Sequence, residues 1–380
     1  MQILVGISGL LLIAVIMWDA FEVIVLPRRV TRRLRLTRLF YRATWITWSA
    51  IVRRLASSKR RETYLSFYGP LSLILLLTVW ATGMILGFAL LQAARGSALN
   101  VSGGPATFAT DLYMSGTTFF TLGLGDVTPR TTLARVITVI EAGTGFGFLA
   151  LVIGYLPVIY SAFSRREVST VLLDARAGSP PSAAELLRRS SQGLHQGLDE
   201  LLRDWERWAA ELLESHISYP VLCYYRSQHS NQSWLAALTA ILDTSALVMA
   251  GIDGISPRQA QLTFAIARHA MADLAQIFNT PPSAPGADRL SPPDLRRLRE
   301  VLASAGVRLG DGPAADQRLS ELRRMYEPYA NGLAEYLLMA LPPWLRAGGG
   351  FDSWQTSAWE RISTRRMTDA TVPPHPDEHF

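Results

Sequence analysis

The residues with the most chemistry to offer form one short run, Thr121-Leu122-Gly123-Leu124-Gly125-Asp126, followed by Val127-Thr128-Pro129. Glycines at alternate positions open the left-handed backbone at alternate residues, because no Cβ opposes it. Successive peptide carbonyls can then point the same way. Several such segments in a ring replace the hydration shell of a cation with carbonyl oxygens. The hydroxyl of Thr121 adds one more oxygen layer at one end, and Asp126 closes the other. Immediately before, residues 110–120 read as one short helix, with Thr110 placed to cap it and Asp111 in its first turn. The negative C-terminal end of that helix faces the glycine run and favours a cation there.

Irregular backbone of this kind survives at membrane depth only where it is buried in protein or lines a water-filled path. The flanking sequence has the apolar length for that setting. Residues 3–26 and 71–94 are runs of 24 residues, and residues 134–163 form a third run, interrupted by Arg135 and Glu141. Twenty-four helical residues span about 36 Å, enough for a hydrocarbon core of about 30 Å. The first run has no basic residues before it and no small-residue cleavage site after it, so it is expected to stay as a span and not to act as a signal peptide. A fourth apolar stretch, residues 234–252, carries Asp243 at its middle and is expected to be a buried helix of a soluble domain, since a central Asp costs about 2.5–3.5 kcal/mol on insertion scales.

Charged residues are 18% of the chain, below the about 25% of ordinary soluble domains, and the deficit lies in these runs. The net charge of +6 is local: residues 27–63 hold twelve Lys/Arg and one Glu, and the remainder is net acidic. A basic block between two spans marks the cytoplasmic side. The N-terminus is then outside, residues 95–131 are on the outer side, and residues 164–380 are cytoplasmic, in a multi-pass protein of the cell membrane. Within the block, Leu39, Phe40, Trp45, Trp48, Ile51, Val52 and Leu55 recur at helical spacing among arginines. That pattern suits a helix in the inner interface, as an anchor or as a lever on the rest, with anionic lipids facing residues 28–61 and no nucleic acid as partner.

The order span, short helix, Thr-Leu-Gly-Leu-Gly-Asp, span resembles the pore domain of potassium channels over about residues 66–163. Thr121, Leu122, Gly123, Leu124 and Gly125 match the family's Thr-Val-Gly-Tyr-Gly, and Asp126 its following Asp. The chain is also similar to a group of bacterial channel proteins with an extra N-terminal helix, through Trp18-Asp19-Ala20-Phe21-Glu22 and Leu26-Pro27-Arg28-Arg29. The resemblance implies an all-α membrane protein, a tetrameric pore-loop channel with an additional N-terminal transmembrane helix and a helical cytoplasmic domain. It implies potassium as permeant ion, with no cofactor and no other metal. Two departures stand out. Leu124 occupies the family's Tyr position, and Tyr113, Met114 and Thr117 stand where bacterial relatives carry a Trp pair and a Glu. The family's polar braces are therefore missing, Asp126 needs Tyr113 or water as a partner, and packing of Phe119, Phe120 and Leu124 is expected to hold the filter. One filter segment per chain implies a homotetramer.

On the inner-helix register, Phe146, Leu149 and Ile153 face the cavity, an apolar lining that can gate by dewetting. Gly145 falls on the family's hinge glycine and Pro157 removes a helix hydrogen bond. A hinge and bend near the gate, or close packing of small residues, both fit these positions. Glu141 is an ionisable group inside a span and hence a site candidate. It reads as a brace behind the filter, to Thr117 or Thr118, with a pH sensor, an ion site or an outer water pocket as the other readings. Asp19 and Glu22 read as interfacial groups pairing with the arginines that follow.

The cytoplasmic half is helix-rich. Ser182-Ala183-Ala184-Glu185, Ser256-Pro257-Arg258-Gln259 and Ser291-Pro292-Pro293-Asp294 are helix-start signals. Leu194, Leu198, Leu201, Trp205, Trp208 and Leu212 form a short heptad seam, either the core of a bundle or a contact within the tetramer. Residues 221–234, polar and aromatic, read as a packed loop or as a small-ligand site. His216 and His229 are too isolated for a metal site. No strand-Gly-x-Gly-x-x-Gly-helix unit, nucleophile elbow or zinc signature is present, so no enzyme is expected. The expected organisation is a span at 1–26, a basic interfacial linker at 27–65, the pore domain at 66–163, a helical domain at 164–372 and a disordered tail at 373–380. Three functions remain in view: a potassium-selective channel gated or assembled by its cytoplasmic domain, a weakly selective or sodium-conducting channel of the same architecture, and a non-conducting membrane receptor or scaffold.

Overall fold

A computed structural model describes residues 1–26, 35–55, 57–101, 104–191, 194–228, 231–284 and 286–346. The tail at 373–380, His229, Arg28 and Arg29 lie outside the described residues. The chain divides into two compact units, Met1–Ser161 and Ala162–Phe380, with the division inside one long helix.

The first unit is built from α1 (Gln2–Ala20), α2 (Leu36–Arg53), α3 (Ser58–Ala93), α4 (Phe108–Phe119) and the first part of α5 (Thr132–Ala177). Helices α1 and α3 pack through small residues. A Cβ at Gly9 would lie 2.6 Å from the Gly87 carbonyl oxygen, and one at Gly83 2.3 Å from Ile16 Cδ1. Such approach is how apolar helices gain dispersion contacts where lipid removes the hydrophobic drive. Ile13, Ile16, Leu76, Trp80, Met84, Phe88 and Phe119 form the core around this seam. Helix α2 lies on α3 by Trp45 and Trp48, whose rings sit 4.8 and 6.0 Å from that of Tyr68. Its other face leaves Leu39, Ile46, Ile51, Arg38 and Arg42 exposed. Helix α3 starts well before the apolar run and carries Arg60 and Arg61, so part of the basic linker is already helix.

The sequence gives no sign of strand, yet β1 (Leu99–Val101) pairs antiparallel with β2 (Val127–Pro129), Leu99 opposite Pro129. Three-residue strands are too short to show alternation. The ribbon joins the two ends of the segment that holds α4 and the glycine run.

The second unit is a bundle: the end of α5, then α6 (Ala183–Ser190), α7 (Leu194–Ser218), a 3-10 turn (Pro220–Tyr224), α8 (Trp234–Gly251), α9 (Arg258–Ile277), α10 (Pro292–Ser304), α11 (Pro313–Arg324) and α12 (Glu327–Leu337). Ser182 and Ser291 cap α6 and α10 by accepting from Glu185 and Asp294 backbone N–H groups. At α9 the cap position is Pro257 itself, and the helix begins one residue later than the Ser-Pro signal suggests. The heptad residues Leu198, Leu201, Trp205, Trp208 and Leu212 are buried inside this unit, which is the bundle-core arrangement. Among the described residues, four helices have the length and hydropathy of a membrane span. In three, the most apolar stretch is 11–44% buried within the chain; in α8 it is 83% buried, so α8 is an interior helix. Its Asp243 meets Arg289 at 2.5 Å and also accepts from Tyr326, and Arg289 continues to Glu327 at 3.0 Å.

Candidate functional site: the glycine run and its supports

Helix α4 ends in a backbone motif that launches the glycine run. The Thr121 N–H donates to the Thr118 carbonyl at 3.0 Å and the Leu122 N–H to the Thr117 carbonyl at 2.7 Å. This is the paired C-terminal closure usually made by a left-handed glycine. Here Thr121 takes that position, with φ +58°, and Gly123 and Gly125 follow at +55° and +81°. Left-handed backbone at 121, 123 and 125 is the alternation that lets intervening carbonyls share a direction. A β-branched residue with positive φ is strained, and such strain concentrates at functional positions. The side chains of Leu122 and Leu124 are 61% and 64% exposed, so the run is held by its ends and not by a wall of its own chain.

The supports differ from the sequence expectation. Thr107 stands at the N-cap of α4, and Thr110 returns a bond by accepting from the Thr107 N–H at 3.1 Å. The partner of Glu141 is Ser115, not Thr117 or Thr118. Ser115 sits one turn nearer the start of α4, on the face toward α3 and α5, and its hydroxyl also lies 2.7 Å from the Ile85 carbonyl. Three helices meet at that hydroxyl. Thr117 and Thr118 act through their carbonyls, and the Thr117 hydroxyl turns back to Met114 at 3.0 Å. One turn further on, a Cβ at Gly145 would lie 2.0 Å from the Phe119 carbonyl oxygen. Ser115–Glu141 and Phe119–Gly145 are thus two successive contacts, four residues apart on both helices, that dock α5 against the back of α4. Gly145 is a point of backbone approach here. Phe119 is buried against Phe148, ring centroids 5.7 Å apart. Phe120 touches the Phe119 ring edge-on at 5.5 Å, but it and Leu124 are mostly exposed and give the run no wall within the chain.

At the far end of the run, the Tyr113 hydroxyl donates to Asp126 at 2.8 Å. Near the C-terminal end of α3, Gln92 donates to the Ala134 carbonyl at 3.3 Å, and Ser97 to Asp111 at 2.5 Å. Along α5, Phe146, Leu149 and Ile153 lie exposed at spacings of three and four, on one face of the helix, and Pro157 lies inside a helix that continues to Ala177.

Asp19 and Glu22 are buried joints and not snorkelling groups. Asp19, 4% exposed, accepts from the Thr37 N–H at 3.2 Å, the Thr37 hydroxyl at 2.5 Å and the Trp80 indole at 3.0 Å. Glu22, 6% exposed, accepts from the Trp18 indole at 2.8 Å and pairs with Arg35 at 3.2 Å, where the chain passes through a π-helical turn (Phe21–Val25). The missed signal was the Trp80 indole, since a buried Trp N–H needs an acceptor, whereas Trp18 is exposed. In the second unit, the stretch after residue 220 folds into the 3-10 turn, with Val221, Leu222, Cys223 and Tyr224 buried. No cluster of metal-ligating side chains occurs among the described residues.

Two spans, a short helix aimed between them and an alternating left-handed run define a pore-loop ion channel. Comparison with known proteins agrees: residues 74–161 match the family model described as "Ion channel". Over this segment the chain is similar to the pore domain of an ion-channel family, whose members are channels and not enzymes. The chain is similar to the uncharacterized membrane protein YdjJ of Bacillus subtilis (strain 168), 26% identical over 242 residues, which are 62% of this chain and 69% of the relative. No solved structure matches.

Proposed function

We propose that the protein is a homotetrameric, potassium-selective channel of the cell membrane, N-terminus outside and C-terminus in the cytoplasm. Four copies bring four glycine runs to one axis, and the carbonyls of Thr121, Leu122, Gly123 and Leu124 coordinate the dehydrated ion. The observation that carries this reading is the left-handed backbone at Thr121, Gly123 and Gly125, directly after a helix whose C-terminal carbonyls face the run. The outward Phe120 and Leu124 support assembly, because a neighbouring copy supplies the wall that one chain lacks. Phe146, Leu149 and Ile153 line the cavity below, and the basic, outward face of α2 meets anionic lipid. The cytoplasmic bundle gates or assembles the pore.

The test is the reversal potential of the purified protein in planar bilayers under a potassium/sodium gradient, with Gly123→Asp as the pore control. A potential near the potassium equilibrium value, with current abolished in the control, supports the reading. Current that survives unchanged in Gly123→Asp means the ions pass elsewhere. A second reading, a weakly selective channel, rests on Leu124: without a hydroxyl it cannot bond to α4, and Tyr113–Asp126 is left as the polar cross-link between α4 and the end of the run. Robust current reversing near zero would establish that second reading.

A further inference from the structure

The helix that carries Glu141, Gly145 and Ile153 also carries Arg166, and Arg166 is buried in the second unit. Its guanidinium is fully engaged. Nε and Nη2 meet Glu167 at 3.0 and 2.9 Å. Nη1 donates to the Leu222 carbonyl at 2.8 Å, and Nη2 to the Tyr225 carbonyl at 3.0 Å. These two carbonyls belong to the 3-10 turn and the residue after it, so Arg166 fastens the end of α5 to that turn. The remaining contact is Nη1 to His216 Nε2, at 3.2 Å.

That contact fixes the state of the imidazole. A guanidinium only donates, so Nε2 must offer its lone pair. The other nitrogen, Nδ1, lies 3.0 Å from the Ser215 hydroxyl. The Ser215 proton goes to the Glu211 carbonyl at 2.7 Å, which leaves the hydroxyl oxygen to accept from Nδ1–H. His216 is therefore neutral, with its proton on Nδ1. A second proton would turn Nε2 into a donor facing a donor, and place a cation 3.2 Å from a cation in a site closed to water. The groups around the ring are Arg166 from α5, Ser215 and the Leu212 carbonyl from its own helix, and Trp234 from α8, whose ring lies 5.6 Å away; Glu167 and Cys223 lie beside Arg166. Glu167 meets the guanidinium through Oε1 alone, and its contact is with Arg166 and not with the imidazole. Burial, then the neighbouring Arg166 charge, hold the imidazole well below its ordinary 6.5.

We propose that Arg166 and His216 form an acid-released clamp: proton uptake at His216 frees the end of the pore-lining helix from the bundle and changes channel activity. The effect on activity rests on the channel reading above; the release does not. The clamp is favoured above the ordinary histidine value. As pH falls below that value the released state, which can bind the proton, gains on the clamped state, which cannot.

Cys223 reports the release. It is the one cysteine of the chain, it is buried, and burial pushes its thiol up and keeps it unreactive. The full-length protein is labelled with 4,4′-dithiodipyridine, which reacts with thiols in acid, and rates are normalised to a free thiol at the same pH. Linkage to one histidine of pKa 6.5 predicts labelling about ten-fold faster at about pH 5.5 than at about pH 7.5. In His216→Gln, whose amide oxygen can accept from Arg166 without titrating, the two rates should agree. A wild-type profile flat across this range overturns the clamp whatever the variant does, and so does equal acceleration in the glutamine variant. Potassium flux from proteoliposomes then reads the coupling. Wild-type flux should change over the same interval and His216→Gln flux should not. Acid-responsive labelling beside pH-independent flux overturns the coupling. Absence of flux at every pH sinks the channel reading, while the labelling still decides the clamp.

Discussion

Two buried carboxylates of the first unit sit where helices meet, and the protein treats them differently. Asp19 joins α1 to the start of α2 and to α3, and three donors converge on it from Thr37 and Trp80. Glu141 joins α5 to α3 and α4 through one hydroxyl, that of Ser115. Its second oxygen has no hydrogen-bond partner among the described residues. The Ser115 hydroxyl has one proton and faces two oxygens, the Ile85 carbonyl and Glu141. The joint remote from the glycine run has all the hydrogens it needs. The joint behind the glycine run, with Glu141 as a carboxylate, is one hydrogen short. A saturated carboxylate fixes the geometry of its three elements, whereas an under-supplied one leaves a contact that small changes in helix position can remake. The N-terminal helix is thus a rigid buttress, and the adjustable joint lies against α4, the helix that launches the glycine run.

Amide substitution breaks this comparison most sharply. Asp19→Asn turns an NH2 group toward three donors and should destabilise the protein by about 3 kcal/mol, seen as a lower midpoint of thermal unfolding in detergent. If Asn at 19 is neutral, the joint is not saturated as described. The next effect in size is Gly145→Ala. The added methyl meets a backbone oxygen that belongs to the end of α4, so neither partner can yield by turning a side chain. We expect a cost of about 1–3 kcal/mol, together with reduced conduction, because the shift is delivered to the residues that position Thr121. Unchanged current and stability would show that α5 retreats freely from α4. Glu141→Gln is the converse of the first test. The amide brings the hydrogen that Ser115 lacks, so the variant should lie within about 0.5 kcal/mol of wild type, while Glu141→Ala should lose about 1–2 kcal/mol. Equal losses in both would mean that charge, not hydrogen count, matters at this joint.

What the sequence shows of these joints follows from how local each one is. The alternation of Gly123 and Gly125, the short helix before it and the spans around it are features of contiguous residues, and they are legible. So is the interior character of α8, because one aspartate in an apolar run speaks against lipid. The partner of Glu141 is not legible, since Thr117, Thr118 and Ser115 are all hydroxyl residues of one short helix and only its rotation decides which of them faces α5. Asp19 is harder still: its partners Thr37 and Trp80 lie 18 and 61 residues away, and nothing near Asp19 distinguishes burial from snorkelling. The same distance hides the clamp at Arg166, which reads in sequence as a basic residue ending a span.

The smallest expected effect concerns the C-terminal end of the glycine run. Tyr113 and Asp126 are thirteen residues apart and lie at the surface of the chain, bonded at 2.8 Å. An exposed pair in water adds little to folding, so Tyr113→Phe should leave the unfolding midpoint unchanged. Its contribution is positional. With Thr121 and Leu122 tied to α4 at one end, the Tyr113–Asp126 bond ties the other, and the glycines between have no side chains to hold them. Removing the hydroxyl leaves the run anchored at a single end, free to widen. On the potassium-channel reading proposed above, the reversal potential of Tyr113→Phe should then move from the wild-type value toward zero, with current retained, and Asp126→Asn, which can still accept the bond, should move it less. A Phe variant with wild-type reversal would show that the end bonded to α4 is enough to hold the glycine run, and that the Leu124 position needs no polar brace at all.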